Sequence, residues 1–377
     1  MPPLTKIALL ATGDEIINGD IINSNAPKIA EFCIEQGWIV GFHMVVGDDQ
    51  TEIREAMELL LTRHQVVICT GGLGPTSDDR TRFALGEVVD EPLIFDESAW
   101  QSVLARFAQL GLPAHESNRQ QALFPQNASI IPNPNGTAAG CWIEFNGKII
   151  ILLPGPPTEC LPMLEQDVLP ILKQRLPDEN YKIYKWRLFG VSEGEIAARL
   201  DDALKTMPGS TGYRIDYPYL EFKIKLLADD PSWVDYVNQL VSPYLLSDRY
   251  LPSHKVLWQY LEKLNIPLEV VDDATGGRLQ VAWERPANWQ KISFSHQSDL
   301  NDKISLSLKG LTQLWDGTDT VDKVTLNFEL TAPGLWLSEQ FEFPYRQERT
   351  FRYAVEFISH QMVLFFRQNT QFLVSSG

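Results

Sequence analysis

The segment Val66–Thr81, VVICTGGLGPTSDDRT, joins three residue types that phosphate chemistry uses: glycines, a hydroxyl and adjacent carboxylates. Gly71, Gly72 and Gly74 permit tight turns and close approach of a ligand to the backbone. Amides freed in such a loop, with those of the helix after it, can cradle an anion. Asp78 and Asp79 would repel phosphate unless a divalent cation lay between them, so loop and carboxylates together point to metal-assisted phosphate chemistry. A glycine turn followed by a capping aspartate is also an ordinary strand-to-helix connection, and these residues alone leave both readings open.

The elements that must position this loop follow from periodicity. Val66–Cys69 is short, apolar and β-branched, as a buried strand should be, and Phe83, Ala84, Leu85 and Val88 follow at helical spacing. Lys6–Ala11 reads as a first strand closed by Thr12-Gly13-Asp14-Glu15. Ile22, Ala26, Ile29, Ala30 and Cys33 predict a helix with Asn23 or Ser24 as cap. Trp38–Val46 predicts a second strand, and Asp49 with Glu52 a capped helix after it, with the pair Asp48-Asp49 divided between helix cap and pocket. Lys148–Leu153 is a further strand running into Pro154-Gly155-Pro156-Pro157. This alternation predicts a mostly parallel sheet covered on both faces, with ligands at the carboxyl ends of its strands. Loops 12–15, 70–79, 135–140 and 154–159 would then wall one crevice.

Composition narrows the partners. With 377 residues the chain is expected to form more than one domain, and its formal net charge of −17 argues against nucleic acid or an anionic membrane. Cys33, Cys69, Cys141 and Cys160 show no paired spacing, so a reduced, cytoplasmic setting without disulfides or zinc is expected. His43, His64, His115, His254, His296 and His360 show no metal-ligand spacing. Ile7–Ala11 is too short for a signal-peptide core, and no run approaches the roughly 20 apolar residues of a membrane span.

Past Pro177 a smaller unit is predicted: a strand over Tyr181–Phe189, a helix capped by Ser192 and Glu195, a strand over Leu220–Leu226, and a helix opened by Pro231. From Leu251 the chain turns tryptophan-rich, with Trp258, Trp283, Trp289, Trp315 and Trp336 read as core residues, a strand over Val324–Leu330 and a final helix over Thr350–Arg367.

Six stretches in order, TGDEIINGDIINSNA (12–26), VVGDDQTEI (45–53), TGGLGPTSDD (70–79), NGTAAG (135–140), LPGPPTE (153–159) and FGVSEGEIAARL (189–200), resemble the CinA family of competence/damage-inducible proteins. The resemblance spans about residues 5 to 250, with Ala139 and Pro156 as departures from the family's usual Pro and Val. It implies a molybdopterin-binding-like three-layer αβα domain over 1–176 and a small α+β, KH-like module over 177–250; a degraded resemblance beyond them implies a degenerate amidohydrolase-like C-terminal α/β domain over 251–377. It also implies hydrolysis of ADP-ribose to AMP and ribose 5-phosphate with a divalent metal ion (Mg, Mn or Co), in a cytoplasmic homodimer. On matched positions, Gly71, Gly72, Leu73, Gly74 and Thr76 would cradle phosphate; Asp78, Asp79 and Asp14 would hold the cation and be catalytic. Asn25 would orient the substrate, and Gly136, Thr137, Pro154, Gly155 and Pro156 would line its nucleoside or ribose end. Alternatives are a pterin- or nucleotide-binding protein of the molybdenum-cofactor type, or a nicotinamide mononucleotide deamidase. The last is disfavoured: where the family's amidohydrolase segment carries a nucleophilic serine, this chain has Asp273, followed by Ala274, and carboxylate cannot replace a serine alkoxide.

Overall fold

The computed structural model describes residues 6–177, 182–226, 230–295, 303–311, 322–344 and 347–374. His296, Trp315 and Tyr181, the first residue of a predicted strand, lie outside them. The chain divides into two compact units, Met1–Lys182 and Ile183–Gly377.

In the first unit the order is β1 (Lys6–Thr12), α1 (Asp14–Ile17), α2 (Asn25–Glu35), β2 (Ile39–Val46), α3 (Gln50–Arg63), β3 (Val66–Thr70), α4 (Thr81–Val89), β4 (Leu93–Phe95), α5 (Glu97–Gln109), β5 (Leu123–Pro125), β6 (Ser129–Ile131), β7 (Gly140–Phe145), β8 (Lys148–Leu153), α6 (Pro157–Met163) and α7 (Leu169–Arg175). Six strands form one sheet in the order β2-β1-β3-β8-β7-β6. β1 pairs in parallel with β2 and β3, and β3 with β8, while β7 and β6 run antiparallel at one edge. Strand alternation divides each central strand between two cores. Ala8, Leu10, Val67, Cys69, Ile150 and Leu152 pack with α3 and α4, whereas Ile7, Leu9, Val66, Ile68, Ile149 and Ile151 pack with α2, α6 and α7. This is the three-layer αβα arrangement. β1 lies between β2 and β3, so the strand order reverses beside it, and the loops after β1 and β3 open into a shared crevice.

Caps fall largely where the sequence places them. Asp49 Oδ1 accepts from the Thr51 and Glu52 amides (2.9 and 3.0 Å), and Ser192 accepts from Glu195 (3.3 Å). Asn23 Oδ1 accepts from the Ala26 amide at 3.1 Å, while Ser24 makes no side-chain cap bond. Ile22 departs from expectation: it stands outside α2 and is 90% exposed. The four cysteines are buried and free, and among the described residues no helix is long and apolar enough to cross a membrane.

The second unit holds β9 (Lys182–Phe189), α8 (Glu193–Ala203), β10 (Gly209–Asp216), β11 (Tyr219–Leu226), α9 (Pro231–Val241), α10 (Ser253–Leu261), β12 (Leu268–Asp273), α11 (Arg278–Trp283), β13 (Ile292–Phe294), β14 (Ile304–Gly310), β15 (Lys323–Ala332), β16 (Leu335–Pro344) and α12 (Glu348–Gln368). Its first part is a three-stranded sheet, β10-β11-β9, with its own core around Trp186, Phe222 and Val237. β10, a hairpin partner of β11, is absent from the strand-helix-strand-helix reading; Gly209 and Gly212 weaken its strand signal. The second part, a five-stranded sheet in the order β13-β12-β14-β15-β16, packs around Trp283, Leu306, Phe328 and α12. Polar bonds join the two parts: Tyr219 Oη donates to Glu356 Oε2 in a buried bond (2.6 Å), and Ser247 Oγ meets His360 Nδ1 in a partly buried one (3.0 Å). Of the tryptophans read as core, Trp283 is buried, whereas Trp289 and Trp336 are exposed.

Candidate active site

A cleft of about 480 Å³ opens at the carboxyl ends of β1, β3 and β8, a volume typical of small-molecule sites. Segments from all four expected loops line it: Thr12, Gly13 and Glu15; Thr70 to Pro75; Thr137 and Ala138; and Pro154 to Pro157 with Glu159. Asp78, Asp79, Asn25, Gly71, Gly72, Leu73, Gly74, Thr137, Pro154, Gly155 and Pro156 are therefore brought together, while Asp14, Thr76 and Gly136 are not among the lining residues.

Hydrogen bonding divides the loop's backbone sharply. The Gly71 amide donates to Leu153 O (3.0 Å), the Gly74 amide to Asp79 Oδ1 (2.7 Å) and the Thr76 amide to Asp79 Oδ2 (2.9 Å). Three of the five expected phosphate donors are thus used within the protein, and among the described bonds only Gly72 and Leu73 keep their amides for a ligand. Their direction is fixed. Thr81 N donates to Gly72 O (3.2 Å), and because a trans peptide sets N–H opposite C=O, the Leu73 amide points the other way. Gly71 and Gly72 adopt φ of +104° and +64°, a left-handed backbone natural to glycine. Their small size is required locally as well: a Cβ on Gly71 would strike Thr12 O, one on Gly72 Thr81 Oγ1, and one on Gly74 the Asp79 carboxylate. The glycine at 74 therefore makes room for Asp79.

The acidic pair has two different environments. Asp79, bonded to two amides and the Thr76 hydroxyl, builds the loop. Asp78 is exposed, its carboxyl held below the ordinary value by the nearby Thr76 hydroxyl and then by its own amide. Asp48 faces the cleft, since Asp49 takes the cap. Asp14 and Asp48 bond reciprocally: the Asp14 amide donates to Asp48 Oδ2 (3.1 Å) and the Asp48 amide to Asp14 Oδ1 (3.2 Å). Burial, and then the negative charges of Asp14, Glu15 and Asp78, push the Asp48 carboxyl above its ordinary value, against the lowering bond from the Asp14 amide.

Asn25 is 6% exposed; its Nδ2 donates to Gly155 O (2.6 Å), which leaves Oδ1 buried without a partner. Glu159 accepts from Asn133 Nδ2 (2.7 Å) and occupies the space a Cβ on Gly136 would need. Gln121 Nε2 donates to Thr137 Oγ1 (3.0 Å). Glu159 stood within a matched stretch; Gln121 carries no sequence signal beyond a polar run.

The comparisons with known proteins bear on the same residues. The family described as "Probable molybdopterin binding domain" matches residues 8–174. A "Putative competence-damage inducible protein" of Clostridium novyi is 36% identical over 284 residues, covering 73% of this chain and 68% of the relative. This chain belongs to the CinA family. A "CinA-like protein" of Geobacter metallireducens is 37% identical over 227 residues, 60% of this chain, and the alignment spans only 55% of that relative. A solved CinA structure from Thermoplasma acidophilum, titled as of unknown function, is 31% identical and covers 45% of this chain and 98% of its own, with a TM-score of 0.42. The tungsten cofactor synthesizing protein MoaB from Pyrococcus furiosus is 18% identical, covers 47% of this chain and 100% of its own, and has a TM-score of 0.31. In this CinA-family chain the molybdopterin-binding-like domain is the first unit, and it carries every residue of the cleft.

Proposed function

We propose that the chain is a metal-dependent pyrophosphatase that cleaves ADP-ribose into AMP and ribose 5-phosphate. The observation that carries this is the meeting, in one cleft, of two free amides at Gly72 and Leu73 with the carboxylates of Asp48 and Asp78. Amides alone suit an anion, carboxylates alone repel one, and together they suit a phosphate accompanied by a hard cation. Among the described residues no three metal-ligating side chains come together as a cage. A hard cation at a phosphate site needs only one or two carboxylates, completed by substrate phosphates and water. Asp48 and Asp78 would hold the ion, which when bound would offset phosphate charge.

The chain's own groups do the rest. Gly72 and Leu73 amides bind a phosphate oxygen, and Asn25 Oδ1 accepts a donor from the sugar. Asp14 positions Asp48, and Asp79 keeps the loop closed. Water adds to one phosphorus, the bridging P–O bond breaks, and the bridge oxygen leaves with the other phosphate; one water proton stays on the new P–OH and the other ends on the departing bridge oxygen, while Asp48 acts by holding the cation. The cytoplasmic homodimer expected from the family is part of this proposal. The test is incubation of the purified chain with ADP-ribose and Mg²⁺, Mn²⁺ or Co²⁺, with quantitation of both products. Equal release of AMP and ribose 5-phosphate is expected; no AMP with any of the three metals would refute it.

A further inference from the structure

Arg82, in the first turn of α4, is a fully buried arginine that no matched stretch includes. Its Nη2 donates to Leu73 O at 3.0 Å and to Gly74 O at 3.3 Å, and Nε and Nη1 have no partner. A buried guanidinium whose hydrogen bonds go only to carbonyls is costly, and its compensation is partial: the Asp79 carboxylate acts on it through space without a hydrogen bond, and the Phe124 ring centroid lies 5.7 Å from its central carbon. Burial pushes its pKa down to about 10, so it stays charged at neutral pH. The side chain turns the Leu73 and Gly74 carbonyls towards the interior. Gln120 Nε2 adds bonds to Gly74 O (3.1 Å) and Thr76 O (2.6 Å). With those carbonyls drawn inward, their negative ends leave the cleft wall on which the Gly72 and Leu73 amides remain.

We infer that Arg82 is a positioning residue for phosphate, a buried cation that holds the loop's carbonyls away from the cleft and gives the two free amides a positive background. In a chain of net charge −17, with Asp48, Asp78 and Glu15 at the same cleft, such local compensation is what an anionic ligand requires. The anion in turn adds to the partial compensation that the Asp79 carboxylate gives this charge. Because the side chain acts from inside the fold through peptide groups, it makes no contact with the reacting atoms.

The inference rests on the phosphate reading of the loop, and its test uses binding so that the two can fail separately. Inorganic pyrophosphate with Mg²⁺ is titrated into the full chain by calorimetry, and the Gly72 and Leu73 amides are followed by ¹⁵N NMR. Arg82→Met is expected to weaken binding by about tenfold or more, the scale of one charge-assisted hydrogen bond. Arg82→Lys keeps the charge but cannot bridge two carbonyls, and is expected to recover only part of the affinity. Both amides should shift on titration in the wild type and less in the variants. If Arg82→Met does not fold, Arg82→Lys decides. Wild-type affinity and amide shifts in a folded variant, with only the melting temperature lowered, would make Arg82 a core residue and overturn the inference. Pyrophosphate binding at Gly72 and Leu73 without ADP-ribose hydrolysis would sink the proposed activity and leave Arg82's role standing; no binding by the wild type would sink both.

Discussion

Two adjacent carboxylates, read in sequence as one cation-binding pair, have separate tasks in the structure. Asp79 satisfies the Gly74 and Thr76 amides, and removing an acceptor of buried or partly buried amides costs about 1–3 kcal/mol. Asp79→Ala is therefore expected to lower stability by about 2 kcal/mol and to loosen the loop. Asp78→Ala, at an exposed position, should leave stability within about 0.5 kcal/mol of wild type while cutting turnover by about 10². Thermal melts beside product assays separate the two. Equal melting and equal turnover for both variants would contradict the division. The same logic changes the expectation for Gly74: valine there must displace the Asp79 carboxylate, so Gly74→Val is expected to lose melting temperature and pyrophosphate affinity together.

Asp48 offers a test by pH. A carboxyl raised in the folded chain binds its proton more tightly there than in the unfolded chain. Its contribution to stability is thus lost as pH rises from the ordinary value of 3.8 through the raised one. Asp48→Asn removes that loss. The variant is expected to melt higher than wild type at pH 7, to show no advantage below pH 3.8, and to lose most turnover. A lower melting temperature at pH 7 would show that the Asp14–Asp48 pairing outweighs the repulsion.

At the scale of elements, the strand-helix alternation of the first unit was legible because β1, β3 and β8 are apolar runs ending in glycine- or proline-rich loops, and buried strands have few other patterns available. The four-walled crevice followed from the same rule. What escaped were partners fixed only in three dimensions. Nothing in GGLGPTSDD says that Asp79 folds back on two amides of its own loop. Arg82 did leave a trace, since it falls three and seven residues before Leu85 and Val89 on the buried stripe of α4. A lone arginine there reads as a snorkelling side chain until the carbonyls above it are known.

The C-terminal elements carry a second pH effect. Burial, and then Arg367, hold His360 below its ordinary value beside Ser247, so the folded chain resists its protonation. A histidine lowered in this way stabilises above pH 6.5 and loses that contribution as pH falls below it. Acid melts of wild type and His360→Asn should converge below pH 6.5 if this side chain sets the slope; parallel curves would place the sensitivity elsewhere. The β12 turn shows why amidohydrolase chemistry is not expected. Asp272 Oδ1 accepts from the Ala274 and Thr275 amides (3.2 and 2.7 Å), and Asp273, which the family resemblance sets at the serine position, is an exposed carboxylate. Ammonia release from nicotinamide mononucleotide is accordingly expected to stay at the uncatalysed rate.

At the scale of the whole molecule, all cleft residues from Thr12 to Glu159 fall within Met1–Lys182, and so do both cores that hold the central sheet. A unit with its own packed layers on either side of a sheet meets the requirements for folding alone. A chain ending at Lys182 is therefore expected to melt cooperatively and to bind pyrophosphate with Mg²⁺ as the full chain does. The binding measurement is the one that decides. If the shortened chain melts cooperatively but the Gly72 and Leu73 amides no longer respond to pyrophosphate, a group beyond residue 182 completes the anion site, and the cleft assigned here to one unit is only part of it.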